Sequence, residues 1–266
     1  MKAIFICLAL LAPFIGYAKY DLSICAIFQD EAPYLKEWIE YHRLVGVKHF
    51  YMYNNDSHDD WINILTPYID EGIVDVFYWP EKYADPFLGY KCPATAYQDC
   101  IDRFRNHTKW FAFIDVSDFI VPLEHKKITS ELKHIDYGIR LNVKNFGTSY
   151  IPKIKGLMIE NLTWRASMNN AMNTDFKSLI RSEILLRCDG PREFVMWKPY
   201  QDKTKRLVIH KYFTRDEDYF YNVKIPFYED LGISGKVLME KADQMNDEQD
   251  FEMLRFTDEL KVRVYQ

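Results

Sequence analysis

The chain has 266 residues, 27% of them charged and 48% apolar, which fits one globular domain with a sizeable core. Its formal net charge is −5 and no basic stripe runs along it, which argues against a nucleic-acid backbone as the main partner. There is no internal repeat and no low-complexity segment, and no Pro/Gly/Ser linker separates the two halves.

The first element is a leader. Met1-Lys2 gives a positive start, Ala3 to Ile15 is apolar, and Gly16 and Ala18 are small residues at the positions a signal peptidase reads. The run is too short to span a bilayer, so residues 1–18 read as a cleavable signal peptide. The mature chain then begins near Lys19 and is exported or enters a secretory pathway, with no transmembrane segment after cleavage. Cys25, Cys92, Cys100 and Cys188 remain, and an oxidising compartment permits disulfides among them.

Strand and helix patterns then alternate. Leu22 to Phe28 is an apolar run that predicts a buried strand. Asp30-Glu31-Ala32-Pro33 opens a helix, Leu35, Trp38, Ile39, His42 and Val45 continue it, and Gly46 ends it. Val47 to Tyr53 predicts a second strand, stopped by Asn54-Asn55-Asp56-Ser57. Trp61 to Ile69 predicts a helix closed by Gly72, and Ile73 to Trp79 a third strand. Tyr97, Cys100, Ile101 and Phe104 mark another helix, and Trp110 to Ile114 a near-continuously apolar fourth strand. This alternation predicts an α/β fold with a doubly wound, mostly parallel sheet. From about Arg140 the pattern becomes irregular, as expected of a half that holds an acceptor and closes a site, with a helical stretch around Gln244 to Leu254. The domain expected is residues 19–266.

In doubly wound sheets ligands lie beyond the carboxyl ends of the strands. That rule selects Gln29-Asp30-Glu31, Asn54 to Ser57, and Asp115 to Asp118. The third is the strongest local signal, a buried apolar strand that ends abruptly in Asp115 and Asp118. Hard cations such as Mn²⁺ or Mg²⁺ take oxygen ligands and bridge carboxylates to a diphosphate, whose charge they neutralise as it departs.

The stretch Phe113-Ile114-Asp115-x-x-Asp118-Phe119 resembles the metal motif of glycosyltransferase family 92 and its bacterial relatives, a GT-A group. Ile24 to Trp38, Glu40-Tyr41-His42, Tyr53 to Ser57, Lys144 to Ser149, Lys177 to Arg181, and Tyr212 to Glu217 with Lys224 are similar to further blocks of that family, in order. Together they cover most of residues 22–260. The resemblance implies a GT-A-type fold, a UDP-sugar donor (UDP-galactose in characterised members), a glycan or other hydroxyl acceptor, and transfer with inversion. It places Asp30 and Glu31 near the nucleotide, Asn54, Asn55 and Asp56 at the donor pocket, Asp115 at ribose and metal, and Arg215 and Lys224 against the diphosphate.

Two positions depart from the family pattern. Where the family reads Asp-x-Asp-Glu, this chain reads Asp115-Val116-Ser117-Asp118, so Asp118 is expected to join Asp115 as metal ligand in place of Ser117. Where the family has His before the Tyr of the late block, this chain has Lys211, with His210 one residue earlier. Lys211 then either binds diphosphate as a built-in cation or marks a catalytically degenerate sugar- or glycan-binding member. Glu160 and Asp175 are the candidates for the base that activates the acceptor hydroxyl. A sugar-phosphate nucleotidyltransferase shares the carboxylate logic, but the chain has no glycine-rich phosphate loop near its first strand.

Overall fold

The computed structural model describes residues 19–82, 91–201 and 205–266, so the expected leader over 1–18 lies outside the described residues. β1 (Tyr20–Phe28), α1 (Ala32–Leu44), β2 (His49–Asn54), α2 (Trp61–Asp70), β3 (Val74–Tyr78), α3 (Lys91–Phe104) and β4 (Thr108–Phe113) follow in the expected order. Gly46, at φ +109°, lets the chain leave α1 in a conformation a side chain would resist. β3, β2, β1 and β4 lie side by side in that order, and every pairing among them is parallel.

Strand alternation explains why the middle of β1 is apolar on both faces. Leu22, Ile24, Ala26 and Phe28 of β1 pack with Trp38 and Leu65 on the face covered by α1 and α2. Cys25 and Ile27 point the other way, into a second cluster with Tyr97 and Ile101 of α3. Both faces are covered, so no position can be polar at low cost. Cys25, Cys92, Cys100 and Cys188 all belong to or pack against this second cluster and are free thiols.

The later half adds β5 (Asp118–Pro122), α4 (Ile128–Glu131), β6 (Gly138–Asn145), α5 (Met158–Asn161), β7 (Trp164–Arg165), β8 (Phe176–Arg181), β9 (Leu185–Gly190), β10 (Glu193–Met196), β11 (Tyr200–Gln201) and β12 (Leu207–Lys211). The sheet continues β4-β8-β6-β12-β5, with β11 beside β6. β8 runs antiparallel to both β4 and β6, and β5 antiparallel to β12, so the sheet is mixed but mostly parallel. β9 and β10 form a separate hairpin.

α6 (Glu217–Tyr219) leads through a π-turn over Phe220–Lys224 into α7 (Ile225–Asp230), and α8 (Gly235–Gln244) follows. β13 (Glu248–Gln249) pairs with β7, and α9 (Thr257–Tyr265) ends the chain. The helix expected around Gln244 to Leu254 is corrected here. α8 ends at Gln244, and a 3₁₀ turn over Glu252–Phe256 precedes α9. Lys144 and Arg165 draw Asp250 toward β6 and β7, which a continuous helix would not allow. No helix among the described residues is long and apolar enough to cross a membrane.

β5 is an edge strand whose free backbone is satisfied by α1 rather than by another strand. Trp38 Nε1 donates to the Asp118 carbonyl at 2.8 Å and the Tyr41 hydroxyl to the Ile120 carbonyl at 3.1 Å. The Ile120 N–H donates to His42 Nε2 at 3.3 Å. These three side chains recur at helical spacing and so reach one line of backbone.

Candidate active site

A cleft of about 710 Å³ opens beyond the carboxyl ends of β1 and β4. Gln29 to Glu31 and Asp115 to Ser117 form its floor, with Lys177 and Lys211. Pro93 and Ala94 of α3 and the β9–β10 turn over residues 189–193 border it, and an aromatic stretch that includes Phe213, Tyr219, Phe227 and Tyr228 completes it. The first and third predicted points thus lie at the cleft. The second contributes Asn55, whose amide donates to the carbonyls of Trp79 and Glu81 at 2.7 Å. Asn54 is buried and accepts the Ser57 N–H, and Asp56 is exposed and accepts from the Tyr78 hydroxyl, so neither lines the cleft. The loops after β1 and β2 are laced together: the Asp30 N–H donates to Ser57 Oγ and the His58 N–H to Asp30 Oδ1.

Sheet register builds the floor. Lys211 at the end of β12 stands directly opposite Asp118 at the start of β5, so the two side chains share a face. Lys177 enters from β8, next to β4. Lys177 Nζ lies 2.8 Å from Asp115 Oδ2 and 3.1 Å from Asp118 Oδ2, and Lys211 Nζ 3.1 Å from Asp115 Oδ2. Asp118 is fully buried, accepts the Asp115 N–H at 3.0 Å, and has Lys211 Nζ 3.8 Å from its other oxygen.

Burial alone would raise the Asp115 carboxyl, but the ammonium groups of Lys177 and Lys211 overrule it and hold it well below the usual carboxylate range. Burial alone would lower Lys211, and Asp118 with Asp115 keeps it above the ordinary lysine range. Both groups are therefore charged at neutral pH.

Glu31 and Arg215 form a second pair, 2.8 Å apart and buried, with Lys224 Nζ 3.7 Å from Glu31. Arg215 lies over the Tyr34 ring and does not line the cleft, so it acts on the site through Glu31. Lys224 does line it, on the π-turn, a local irregularity that recurs at functional sites. Burial depresses the Lys224 ammonium, Glu31 opposing.

Residues 20–247 match the profile of glycosyltransferase family 92. The chain belongs to that family. It is 28% identical over 104 residues to a family 92 protein of Ricinus communis, covering 39% of this chain and 18% of that protein. To a family 92 protein of Arabidopsis thaliana it is 25% identical over 180 residues, 63% of this chain and 30% of that one. Galactan beta-1,4-galactosyltransferase GALS3 of Arabidopsis thaliana is 30% identical over 126 residues, 44% of this chain and 24% of the relative. The chain thus spans less than a third of the length of each of these relatives. Staphylococcus aureus TarS 1–349 in complex with UDP superposes with a TM-score of 0.39 at 12% identity, over 61% of this chain and 47% of that one, too distant to bear on function.

The family 92 resemblance implies a metal on Asp115 and Asp118. The structure brings the two aspartates together as expected, but their oxygens already face two ammonium groups. Two ammonium groups already stand beside these oxygens, where a divalent cation would have to sit, so the donor set in this arrangement suits a bound cation poorly. His210 cannot restore the missing ligand. It is adjacent to Lys211 in β12 and so points to the opposite face, where its Nε2 lies 3.1 Å from Glu252 and its ring packs on Phe146. Among the described residues, two groups have the spacing of a cation site: Glu124, His125 and Glu131, and His210, Asp250 and Glu252. Neither lines the cleft, and in the second Lys144 and Arg165 already bind the carboxylates.

Neither candidate base lines the cleft. Glu160 pairs with Lys261 of α9 at 2.6 Å and does not line the cleft. Asp175 is held by Arg192 at 2.7 Å and does not line it either. Glu193, which no periodic pattern marked, does line the cleft, and its carboxylate has no ion pair or hydrogen bond among the described residues. Lys177 was visible only as part of a family block, because its role depends on the antiparallel register of β8.

Proposed function

We propose that the protein is a nucleotide-sugar glycosyltransferase that moves a hexose from a UDP-sugar to a hydroxyl of a glycan or similar acceptor, with inversion. Galactose is the first sugar to test, because one relative bears the name of a galactosyltransferase. The observation that carries the reading is the cationic floor at the ends of β1 and β4 in a chain that belongs to family 92. GT-A architecture is part of the same reading, supported by the parallel order β3-β2-β1-β4 and the irregular half that closes the cleft.

In this reading the diphosphate rests above Lys177 and Lys211, and Lys224 offsets further charge. Aromatic faces of Phe213, Tyr219, Phe227 and Tyr228 border the sugar and the acceptor. Glu193 takes the proton of the acceptor hydroxyl as its oxygen bonds to the anomeric carbon and the bond to UDP breaks. Inversion needs one carboxylate only, and Glu193, which lines the cleft without an ion pair among the described residues, can serve.

A thermal-shift screen of nucleotides and UDP-sugars tests the reading. A ligand at about 100 times its Kd stabilises by about 2.7 kcal/mol, a midpoint rise of roughly 5 °C or more in a domain of this size. UDP is expected to give such a rise, and UDP release from one UDP-hexose to follow when an acceptor is supplied. A second reading, a glycan-binding member without turnover, is favoured by Ser117 at the family's metal position. Nucleotide or glycan binding without UDP release would establish it.

A further inference from the structure

We propose that Lys177 and Lys211 do the work of the divalent cation, so that the cleft holds a nucleoside diphosphate without metal. The inference rests on the nucleotide-sugar reading above and specifies how its donor is held.

The geometry assigns the aspartates a different role from ligation. Each lysine carries three N–H donors. Among the described residues the Lys211 ammonium makes one hydrogen bond, to Asp115 at 3.1 Å, and its distance of 3.8 Å to Asp118 is too long for a second. Lys177 meets Asp115 and Asp118 at 2.8 and 3.1 Å. Both ammonium groups line the cleft and keep donors for it, whereas Asp118 lies beneath, fully buried. The carboxylates therefore aim and hold the cations, as a positioning shell would.

The other cationic group of the cleft is separate. Lys177 and Lys211 pair with Asp115 and Asp118, and Arg215 and Lys224 with Glu31. Arg215 is the nearer partner of Glu31, at 2.8 Å against 3.7 Å, so Lys224, which lines the cleft, offers a third ammonium to a diphosphate.

The test is calorimetric titration of UDP and of uridine into the full chain, with EDTA or with Mn²⁺. The expected result is that UDP binds in EDTA about as tightly as in Mn²⁺, and at least about tenfold more tightly than uridine. Lys177→Gln and Lys211→Gln are each expected to weaken UDP about tenfold, while Lys211→Arg, which keeps the charge, retains most of the binding. The comparison of buffers uses the unaltered protein, so a glutamine variant that fails to fold does not remove the test. UDP binding that appears only with Mn²⁺ would overturn the inference and leave the glycosyltransferase reading standing. Equal affinity for UDP and uridine would also overturn it. If UDP binds in neither buffer, both the inference and the UDP-sugar reading fall.

Discussion

Lys211 and His210 are neighbours in β12 that face opposite sides of the sheet, one toward Asp118 across the register and one toward Glu252. This two-residue alternation makes the departure from the family pattern chemically consequential: moving the histidine by one position removes it from the cleft. Ser117→Asp alone is therefore expected to leave UDP binding insensitive to Mn²⁺, since both ammonium groups remain. Ser117→Asp combined with Lys211→His is expected to gain Mn²⁺-dependent UDP binding, measured by titration with and without the metal. At the other side of the reaction, Glu193→Gln is expected to lower turnover by about 10²- to 10⁴-fold with little change in UDP affinity. Asp175→Asn and Glu160→Gln are expected to leave turnover near normal, and steady-state rates of the three variants check this. Asp30, Glu31, Asn55 and Asp115 were legible as cleft residues because strand ends and family blocks coincide at them, and Lys211 and Lys224 from the family pattern alone. Glu193 was not, because its place depends on how the β9–β10 hairpin folds back over α3.

α1 owes its position to two kinds of contact, an apolar stripe against the sheet and polar tips against β5. His42 joins them. It accepts the Ile120 N–H at Nε2, so Nδ1 carries the proton and donates to the Trp38 carbonyl at 2.9 Å. Burial pushes its pKa down to about 3 from an ordinary 6.5, the Trp38 carbonyl opposing only in part. With the folded value depressed, the unfolded chain binds the proton more tightly. The stability is present above pH 6.5 and is lost as pH falls toward 3, at up to about 1.4 kcal/mol per pH unit. Glu37 works against this. Burial raises its carboxyl to about 7, despite hydrogen bonds from the N–H groups of Met158 and Ile159, so its charged form costs stability as pH rises from 4.5 to 7. His49 and His210 are also lowered, chiefly by burial, and add to the loss on acidification. The informative quantity is therefore a difference: His42→Gln is expected to flatten the fall in stability below pH 6.5 relative to the unaltered chain. Denaturant midpoints between pH 7 and 5 measure it, and parallel curves would show that His42 does not titrate on unfolding. The same scale separates what periodicity could reveal from what it could not. β1, α1, β2 and α2 were legible because their apolar patterns answer to one sheet with two covered faces. The region after α8 was not, because Asp250 and Glu252 serve ion pairs with Lys144, and Glu252 a hydrogen bond with His210, rather than a helix face.

Across the whole molecule the two halves of the chain meet at Glu31 and Arg215, 184 residues apart and both withdrawn from solvent. Arg215 adopts φ +55° and Asp30, beside Glu31, φ +52°, so two side-chain-bearing residues hold left-handed conformations around one ion pair. Arg215→Ala would leave Glu31 with only the longer contacts to Lys224 and Tyr219, and a loss of about 3 kcal/mol is expected in denaturant unfolding. Glu31→Gln with Arg215→Met removes both charges and is expected to recover much of that loss. The sheet that joins these halves was legible only in its parallel part. β8, β6 and β12 are brought beside β4 by antiparallel and crossover pairings that no local pattern specifies, and those pairings deliver Lys177 and Lys211 to Asp115 and Asp118. A structure of the full chain with UDP, prepared in the presence of Mn²⁺, bears on this arrangement most directly. The account predicts the diphosphate in the cleft with its oxygens within hydrogen-bonding distance of Lys177 and Lys211 Nζ. A nucleotide bound elsewhere, or a manganese ion coordinated by Asp115 between the protein and the diphosphate, would contradict it.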